Sequence, residues 1–191
     1  MGQKVNPIGF RLVINNNWTS KWCTSKSNDY VKNLHEDLAI RKLIKDRFKN
    51  ADISKVEIVR FPSKVNVNIF TAKPGLVIGR KGSDVELLKE SIKKLTDKEI
   101  GIINIKEVKN PGVDAQLVSE GIARQIEGRI SFRRAMKQAI QNSMRAGAKG
   151  IKVCISGRLG GAEMARTEEL KEGRVPCSTL KADLGYGFAE S

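Results

Sequence analysis

Pro74-Gly75-Leu76-Val77-Ile78-Gly79-Arg80-Lys81-Gly82-Ser83 is the stretch that decides the fold of this chain. Two glycines three apart allow a tight turn through dihedrals that other residues avoid, and they leave the backbone uncovered. An amphipathic helix follows, with Val85, Leu87, Leu88, Ile92 and Leu95 apolar. Backbone N–H groups at such a helix start face outward, where a phosphate can accept them. Arg80 and Lys81 place two cations at the loop tip. Other phosphate loops fail the spacing. A nucleoside-triphosphate loop needs Gly, four residues, then Gly-Lys-Ser/Thr, and counting from Gly75 puts Arg80 where the second Gly belongs. A dinucleotide loop needs a glycine two residues before Gly79, and Val77 stands there. A structural helix-start turn remains the alternative.

Upstream the period is two. Val56 and Ile58 alternate with charged neighbours, Pro62-Ser63 breaks the run, and Val65, Val67 and Ile69 resume it. This pattern predicts a hairpin. Before it, residues 29–49 predict a helix with Asp29 as N-cap and Val31, Leu34, Leu38, Leu43, Ile44 and Phe48 as its apolar positions. His35, the only histidine, belongs to that helix as a surface or packed side chain. Downstream, residues 101–108 predict a third strand. Residues 29–108 therefore spell helix, strand, strand, glycine loop, helix, strand. Residues 1–28 are irregular, with Trp18 and Trp22 placed to anchor an arm onto a core.

Asn110-Pro111-Gly112 marks the clearest boundary. Two helices are expected over 113–127 and 131–146, separated by Gly128-Arg129, then a strand at 151–155. Residues 162–186 are expected to form hairpin-like strands with Glu172-Gly173 as a turn. In the second helix Arg133, Arg134, Lys137, Gln141 and Arg145 fall within an arc of about 120°. No acid interrupts that arc, and Phe132, Met136, Ala139 and Ile140 fall opposite it. A solvated helix usually interleaves acids for i,i+4 pairs, so their absence favours contact with a polyanion. Gly157-Arg158-Leu159-Gly160-Gly161 matches no phosphate fingerprint. It reads as a strand-to-strand loop lying on RNA, extended by Arg166, Arg174 and Lys181, or as an ordinary flexible turn.

Composition narrows the function. The chain has 191 residues, which allows one or two domains. It carries 35 Lys plus Arg against 21 Asp plus Glu, a net charge of +14. Residues 124–181 hold +8 of this in less than half the length. Such a field attracts polyanions by counterion release, with nucleic acid the leading partner and steep salt dependence expected. An anionic membrane surface ranks second, and only 5% aromatic residues are available to anchor one. No apolar run approaches the roughly 18–20 residues of a membrane span, and the first residues form no secretory signal. Cys23, Cys154 and Cys177 are far apart and odd in number, so they read as plain thiols in a reducing compartment. With one histidine, triads and His-rich metal sites are excluded. No catalytic residue, metal or cofactor is expected.

The element order over 29–108 resembles a type II KH domain, whose loop clamps the backbone of about four nucleotides. Nearly end to end, the chain is similar to the bacterial-type ribosomal protein S three family. The blocks that carry this are Met1-Gly2-Gln3-Lys4-Val5-Asn6-Pro7 with Gly9-Phe10-Arg11-Leu12, Thr71 to Gly82, Phe132-Arg133-Arg134-Ala135-Met136-Lys137, Gly147 to Val153, Ser156 to Glu163 and Glu172-Gly173-Arg174-Val175-Pro176.

The resemblance implies an α+β protein. It has an N-terminal arm at 1–16, a type II KH domain at 17–109 and a C-terminal α/β domain at 110–191 with two helices and a mainly antiparallel sheet. It implies a non-enzymatic constituent of the small-subunit head, cytoplasmic and ribosome-bound, with no membrane contact and no homo-oligomer. Its partners are small-subunit rRNA, mRNA, proteins S ten and S fourteen, and proteins S four and S five near the mRNA entrance. Gly79, Arg80, Lys81 and Gly82 match the KH loop. Arg133, Arg134 and Lys137 match the family's residues implicated in unwinding structured mRNA at that entrance, and Arg145 extends their face. Gly2, Lys4, Arg11, Lys149, Lys152, Arg158, Arg166 and Arg174 are the rRNA-binding candidates.

The chain departs from the family pattern in four places. Val13 stands where many members have Gly, and Asn6 where many have His. Glu169-Leu170-Lys171 replaces a more aromatic and basic stretch. After Gly187-Phe188-Ala189-Glu190-Ser191 members usually continue through another Gly-rich turn into a last strand, so either the chain is shortened or the C-terminal sheet lacks a strand and leaves an open edge that RNA or a neighbour would cover. Two other classes stay open on the residues alone. One is a free KH regulator of single-stranded RNA. The other is a nuclease or lyase, although Asp84 and Glu86 fit first-turn helix charges better.

Overall fold

The computed structural model describes residues 5–96 and 98–191, the Lys81 side chain excepted. The chain divides into two compact units. One spans Trp18–Lys109, and the other joins the first residues up to Asn17 to Asn110–Ser191. In chain order the elements begin with a short helix α1 (Pro7–Phe10), a two-residue strand β1 (Ser20–Lys21) and a long helix α2 (Ser27–Arg47). Strands β2 (Ile53–Arg60) and β3 (Lys64–Thr71), helices α3 (Pro74–Ile78) and α4 (Ser83–Lys93), and strand β4 (Glu99–Glu107) follow. Helices α5 (Ala115–Glu127) and α6 (Phe132–Arg145) and strands β5 (Gly150–Gly157) and β6 (Arg166–Gly173) complete them. Among the described residues no helix is long and apolar enough to cross a membrane.

The first unit has the element order of a KH domain. Strands β2 and β3 form the expected antiparallel hairpin, and β4 returns parallel to β3 from Lys64↔Glu99 to Thr71↔Glu107. The inward rows Val56–Ile58 and Val65–Val67–Ile69 meet Ile40, Ile44, Leu88 and Ile92 in a single core. β1 adds a parallel edge to β2, which sequence did not predict. Helix α3 was also unforeseen, although Pro74 at its start and Gly79 at its end are helix punctuation.

Helix α2 differs from its predicted face. Lys26, not Asp29, is its N-cap, and Asp29 lies in the first turn. Val31 and Leu38 are exposed, whereas Asn33, Asp37, Ile40 and Ile44 are buried. The cause is Arg60 at the end of β2, whose side chain is 2% exposed. It donates to Asp37 Oδ1 through Nε at 2.8 Å, with Nη2 ion-paired to the same oxygen at 2.7 Å, to Glu36 at 2.8 Å, and to the side-chain and main-chain oxygens of Asn33. The other Asp37 oxygen accepts from Ser20 Oγ and Trp22 Nε1, both at 2.8 Å. A polar knot thus takes the inward positions of the first half of α2 and ties β1, α2 and β2 together. Trp22 serves this knot and so anchors the end of the irregular stretch 1–28 onto the core as expected, whereas Trp18 is 62% exposed and does not.

In the second unit Ala135, Met136, Ala139 and Ile140 of α6 pack on Ile122 of α5 and Val153 of β5. Asp114 caps α5, accepting from the N–H groups of Gln116 and Leu117. β5 and β6 are one antiparallel hairpin in register from Gly150↔Gly173 to Gly157↔Arg166. This corrects the expectation of several strands over 162–186. One strand ends at Gly173, which lies opposite Gly150 rather than in a turn. A Cβ on Gly173 would stand 2.5 Å from Lys149 O, so that close approach requires glycine. The chain after it runs without regular structure. It crosses the start of α5, where Gln116 Oε1 accepts from Phe188 N at 3.2 Å and Gln116 Nε2 donates to Phe188 O at 3.0 Å.

The arm packs within this same unit. Asn6 caps α1 by accepting from Ile8 N at 2.9 Å, which gives the asparagine at that position a structural role. Val13 has φ 72°, a left-handed conformation that glycine adopts freely and a β-branched residue does not.

Two stability changes follow. Asp37→Ala leaves Arg60 buried without its main counter-charge and costs about 3–5 kcal/mol in chemical denaturation. Val13→Gly relieves the left-handed strain and raises stability by about 1 kcal/mol, or roughly 2–4 °C in a melting scan.

Candidate nucleic-acid interface

The glycine loop lies between α3 and α4 as a single 3-10 turn, Arg80–Gly82. Gly79 (φ 70°) and Gly82 (φ 84°) both take positive φ, so the spacing of the two glycines is a backbone requirement. A Cβ on Gly79 would collide with the Asp84 carboxylate, which folds back over the loop from the first turn of α4. Arg80 is exposed, and the Lys81 side chain lies outside the described residues. Leu76 and Ile78 on α3 and Leu87 on α4 are exposed as well, so apolar surface accompanies the cationic tip.

In the other unit α6 realises the predicted division of faces. Arg133, Arg134, Lys137 and Arg145 are exposed, and Ala135, Met136, Ala139 and Ile140 are buried. A shallow groove is lined by Ser131, Arg133, Arg134, Lys137, Gln138 and Gln141, which offer donors and no carboxylate. Arg145 lies in the last turn, about 18 Å along the axis from Arg133. The helix C-terminus favours a cation there.

Sequence reasoning missed the carboxylate beside this face. Glu168 accepts from Arg133 through both oxygens, Nη2 to Oε1 at 3.2 Å and Nε to Oε2 at 3.4 Å. Arg166 Nη2 lies 3.3 Å from the same Oε1. The hydrogen bond and charge of Glu168 raise the Arg133 pKa above its ordinary value. The signal was strand alternation: Glu168 faces Ile155 across the hairpin, on the row that also carries Leu170 and faces α6.

The rRNA-binding candidates do not form one patch. Lys149 and Arg174 sit together at one end of the hairpin, where Arg174 N donates to Lys149 O at 3.1 Å. Arg158 and Arg166 sit at the other end, about 24 Å away along the strands. Arg158 Nε donates to Ala162 O at 3.1 Å within the glycine-rich loop. Lys152, midway on the outward face, is paired with Glu169, whose hydrogen bond raises the lysine pKa. Gly2 and Lys4 lie outside the described residues.

Arg11 is a correction. Its residue is 0% exposed, and its guanidinium donates to main-chain oxygens of Ala182 (2.7 Å), Thr179 (2.8 Å), Cys177 (3.0 Å), Pro7 (3.1 Å) and Pro176 (3.2 Å). It fastens the arm to the chain after β6 and presents nothing to a phosphate.

Comparison with known proteins agrees with this two-part arrangement. Residues 39–113 match the family described as KH domain, and residues 122–191 match Ribosomal protein S3, C-terminal domain. Small ribosomal subunit protein uS3 of Geotalea uraniireducens (strain Rf4) is 58% identical over 191 residues, covering 100% of this chain and 90% of that one. The uS3 proteins of Geobacter sulfurreducens (strain ATCC 51573 / DSM 12127 / PCA) and Shouchella clausii (strain KSM-K16) are 56% and 58% identical over the whole chain, and 89% and 86% of their lengths are covered. The chain belongs to the uS3 family. Within that family frame the KH loop and the basic helix stand in different compact units, each positioned by its own core.

The burial of Arg11 marks it as a structural cation. Arg11→Ala should cost about 3 kcal/mol and open residues 176–182 to limited proteolysis, while leaving the salt dependence of RNA binding unchanged. Lys149→Ala should do the reverse, lowering the slope of log K against log salt by about 0.7–0.9 with native stability.

Proposed function

We propose that this protein is a structural, non-enzymatic constituent of the small ribosomal subunit that binds rRNA and lines the mRNA entrance, where α6 grips incoming mRNA and helps to unwind it. The observation that carries this is the face of α6. Arg133, Arg134 and Lys137 project from a rigid helix whose opposite side is locked in a core, around a groove without a carboxylate in its lining. Membership of the uS3 family supports the ribosomal setting, cytoplasmic and ribosome-bound. Residues 17–109 are taken as the KH domain, 110–191 as the C-terminal domain and 1–16 as an arm that packs with the latter.

Within this proposal the work is electrostatic. Point cations held on a rigid helix attract phosphates without reading bases. A strand drawn past them is held single, so a downstream duplex loses its partner strand base by base. Arg145 continues the track toward the end of the helix. Lys149, Lys152, Arg158, Arg166 and Arg174 are assigned to rRNA from the two ends and outward face of the hairpin. Gly79, Arg80, Lys81 and Gly82 are assigned to a nucleic-acid backbone. The same family likeness supports proteins S ten and S fourteen as head neighbours, with proteins S four and S five beside the entrance.

The test compares a tagged parent with an Arg133→Ala, Arg134→Ala, Lys137→Ala variant. Both should sediment with small subunits, and the variant's ribosomes should stall on structured messengers. As isolated chains at about 0.15 M salt, the variant should bind single-stranded RNA about 15- to 50-fold more weakly, the counterion-release value for two to three phosphate contacts. A parent that stays at the top of the gradient with short RNA fragments would overturn the ribosomal assignment in favour of a free KH regulator.

A further inference from the structure

We infer that Glu168 is a built-in competitor for RNA phosphate on the basic helix, holding Arg133 and Arg166 as a phosphate would and thereby weakening the grip. The inference rests on the assignment of α6 to RNA. Its basis is geometric. A phosphate presents two oxygens to a guanidinium as a parallel fork. Glu168 already presents such a fork to Arg133, at 3.2 and 3.4 Å, and shares one oxygen with Arg166 at 3.3 Å.

The levels of exposure make exchange feasible. The Arg133 side chain is 68% exposed and Arg166 52%, while Glu168 is 28% exposed and sits on the row of β6 that faces the core. An incoming phosphate therefore reaches both guanidinium groups from solvent, and the carboxylate waits beneath them. Among the described residues no carboxylate pairs with Arg134, Lys137 or Arg145, so the face of α6 holds three unshared cations and one, Arg133, that shares an acid with Arg166 of β6. Arg133 keeps three of its five N–H donors free, enough to begin a phosphate contact before Glu168 lets go. Each phosphate that takes Arg133 must displace Glu168, and each that leaves is replaced by it. A strand that has to move through the site benefits, because both bound and released states of the arginine are satisfied.

The test uses the full chain and a short labelled oligouridine, titrated by fluorescence anisotropy from about 0.05 to 0.2 M salt. Glu168→Gln should bind about eightfold tighter at about 0.05 M and about threefold tighter at about 0.2 M, with the slope of log K steeper by about 0.7, the value for one further single-strand phosphate contact. In the parent, Arg133→Ala should cost less than Lys137→Ala; in the Glu168→Gln background the two losses should become equal. Glu168→Ala should repeat the gain, which separates loss of charge from the amide's own hydrogen bonds. Equal or weaker binding by Glu168→Gln and Glu168→Ala would overturn the inference. So would equal losses from Arg133→Ala and Lys137→Ala in the parent, a comparison that needs no change at position 168. If the Arg133, Arg134, Lys137 triple variant binds like the parent, it is the assignment of α6 to RNA that has failed.

Discussion

Arg60 and Asp37 form the interaction on which the KH unit depends. Both side chains are almost fully removed from water, and removing a charge from water costs several kcal/mol per ion. That cost is offset only because every oxygen and most N–H groups of the pair have partners on three separate elements. An apolar cluster of the same volume would serve stability as well. What the pair adds is direction: a guanidinium fork fixes the roll of α2 against β2, and Trp22 and Ser20 dock β1 as a fourth strand. The rest of the unit follows from that alignment, since Ile40 and Ile44 reach the sheet only when Asn33 and Asp37 face Arg60.

The second unit contains the same residue type used differently. Arg11 is as buried as Arg60, yet the acceptors around its guanidinium are main-chain carbonyls. Five neutral acceptors around one cation satisfy its donors without a counter-charge, and four of them come from a segment with no regular structure of its own, the fifth being Pro7 of α1. A chain after β6 that lacks helix or strand needs partners for its carbonyls, and one arginine from the arm supplies them together. The net charge of +14 therefore overstates the cations available to nucleic acid. Arg60 and Arg11 are spent inside, and Lys152, Arg133 and Arg166 are shared with acids.

Much of this was legible in the sequence. The hairpin at 53–71, the glycine loop, the boundary near Asn110 and both faces of α6 came from period and punctuation. These elements were readable because each takes its conformation from local rules: alternation, a φ only glycine tolerates, a stripe of apolar residues. What failed was long-range. Val31 and Leu38 match a helical apolar pattern, but the inward side of α2 belongs to Asp37 because Arg60, more than twenty residues away, requires it. Arg11 lies in a family-like basic block, yet its partners stand about 170 residues downstream, where periodicity says nothing. The strands expected after residue 174 find no partner strand among the described residues to take up their hydrogen bonds.

Glu168 marks the boundary between the two kinds of information. Its inward place follows from strand alternation with Leu170 and could have been counted. That Arg133 on α6 comes within reach depends on α6 packing against the hairpin through a shared core. Met136 and Ile140 of α6 and Val153 of β5 are buried in that core, and Ile155 and Leu170 pack against it. The electrostatics of the basic face are thus controlled by apolar packing one layer below. The shared core brings the cationic helix to an acid-bearing strand, and the resulting pair holds one of its arginines in a defined orientation. A cation grips a mobile polyanion usefully only if it is fixed in place and easily released. Packing supplies the first condition and the neighbouring carboxylate the second.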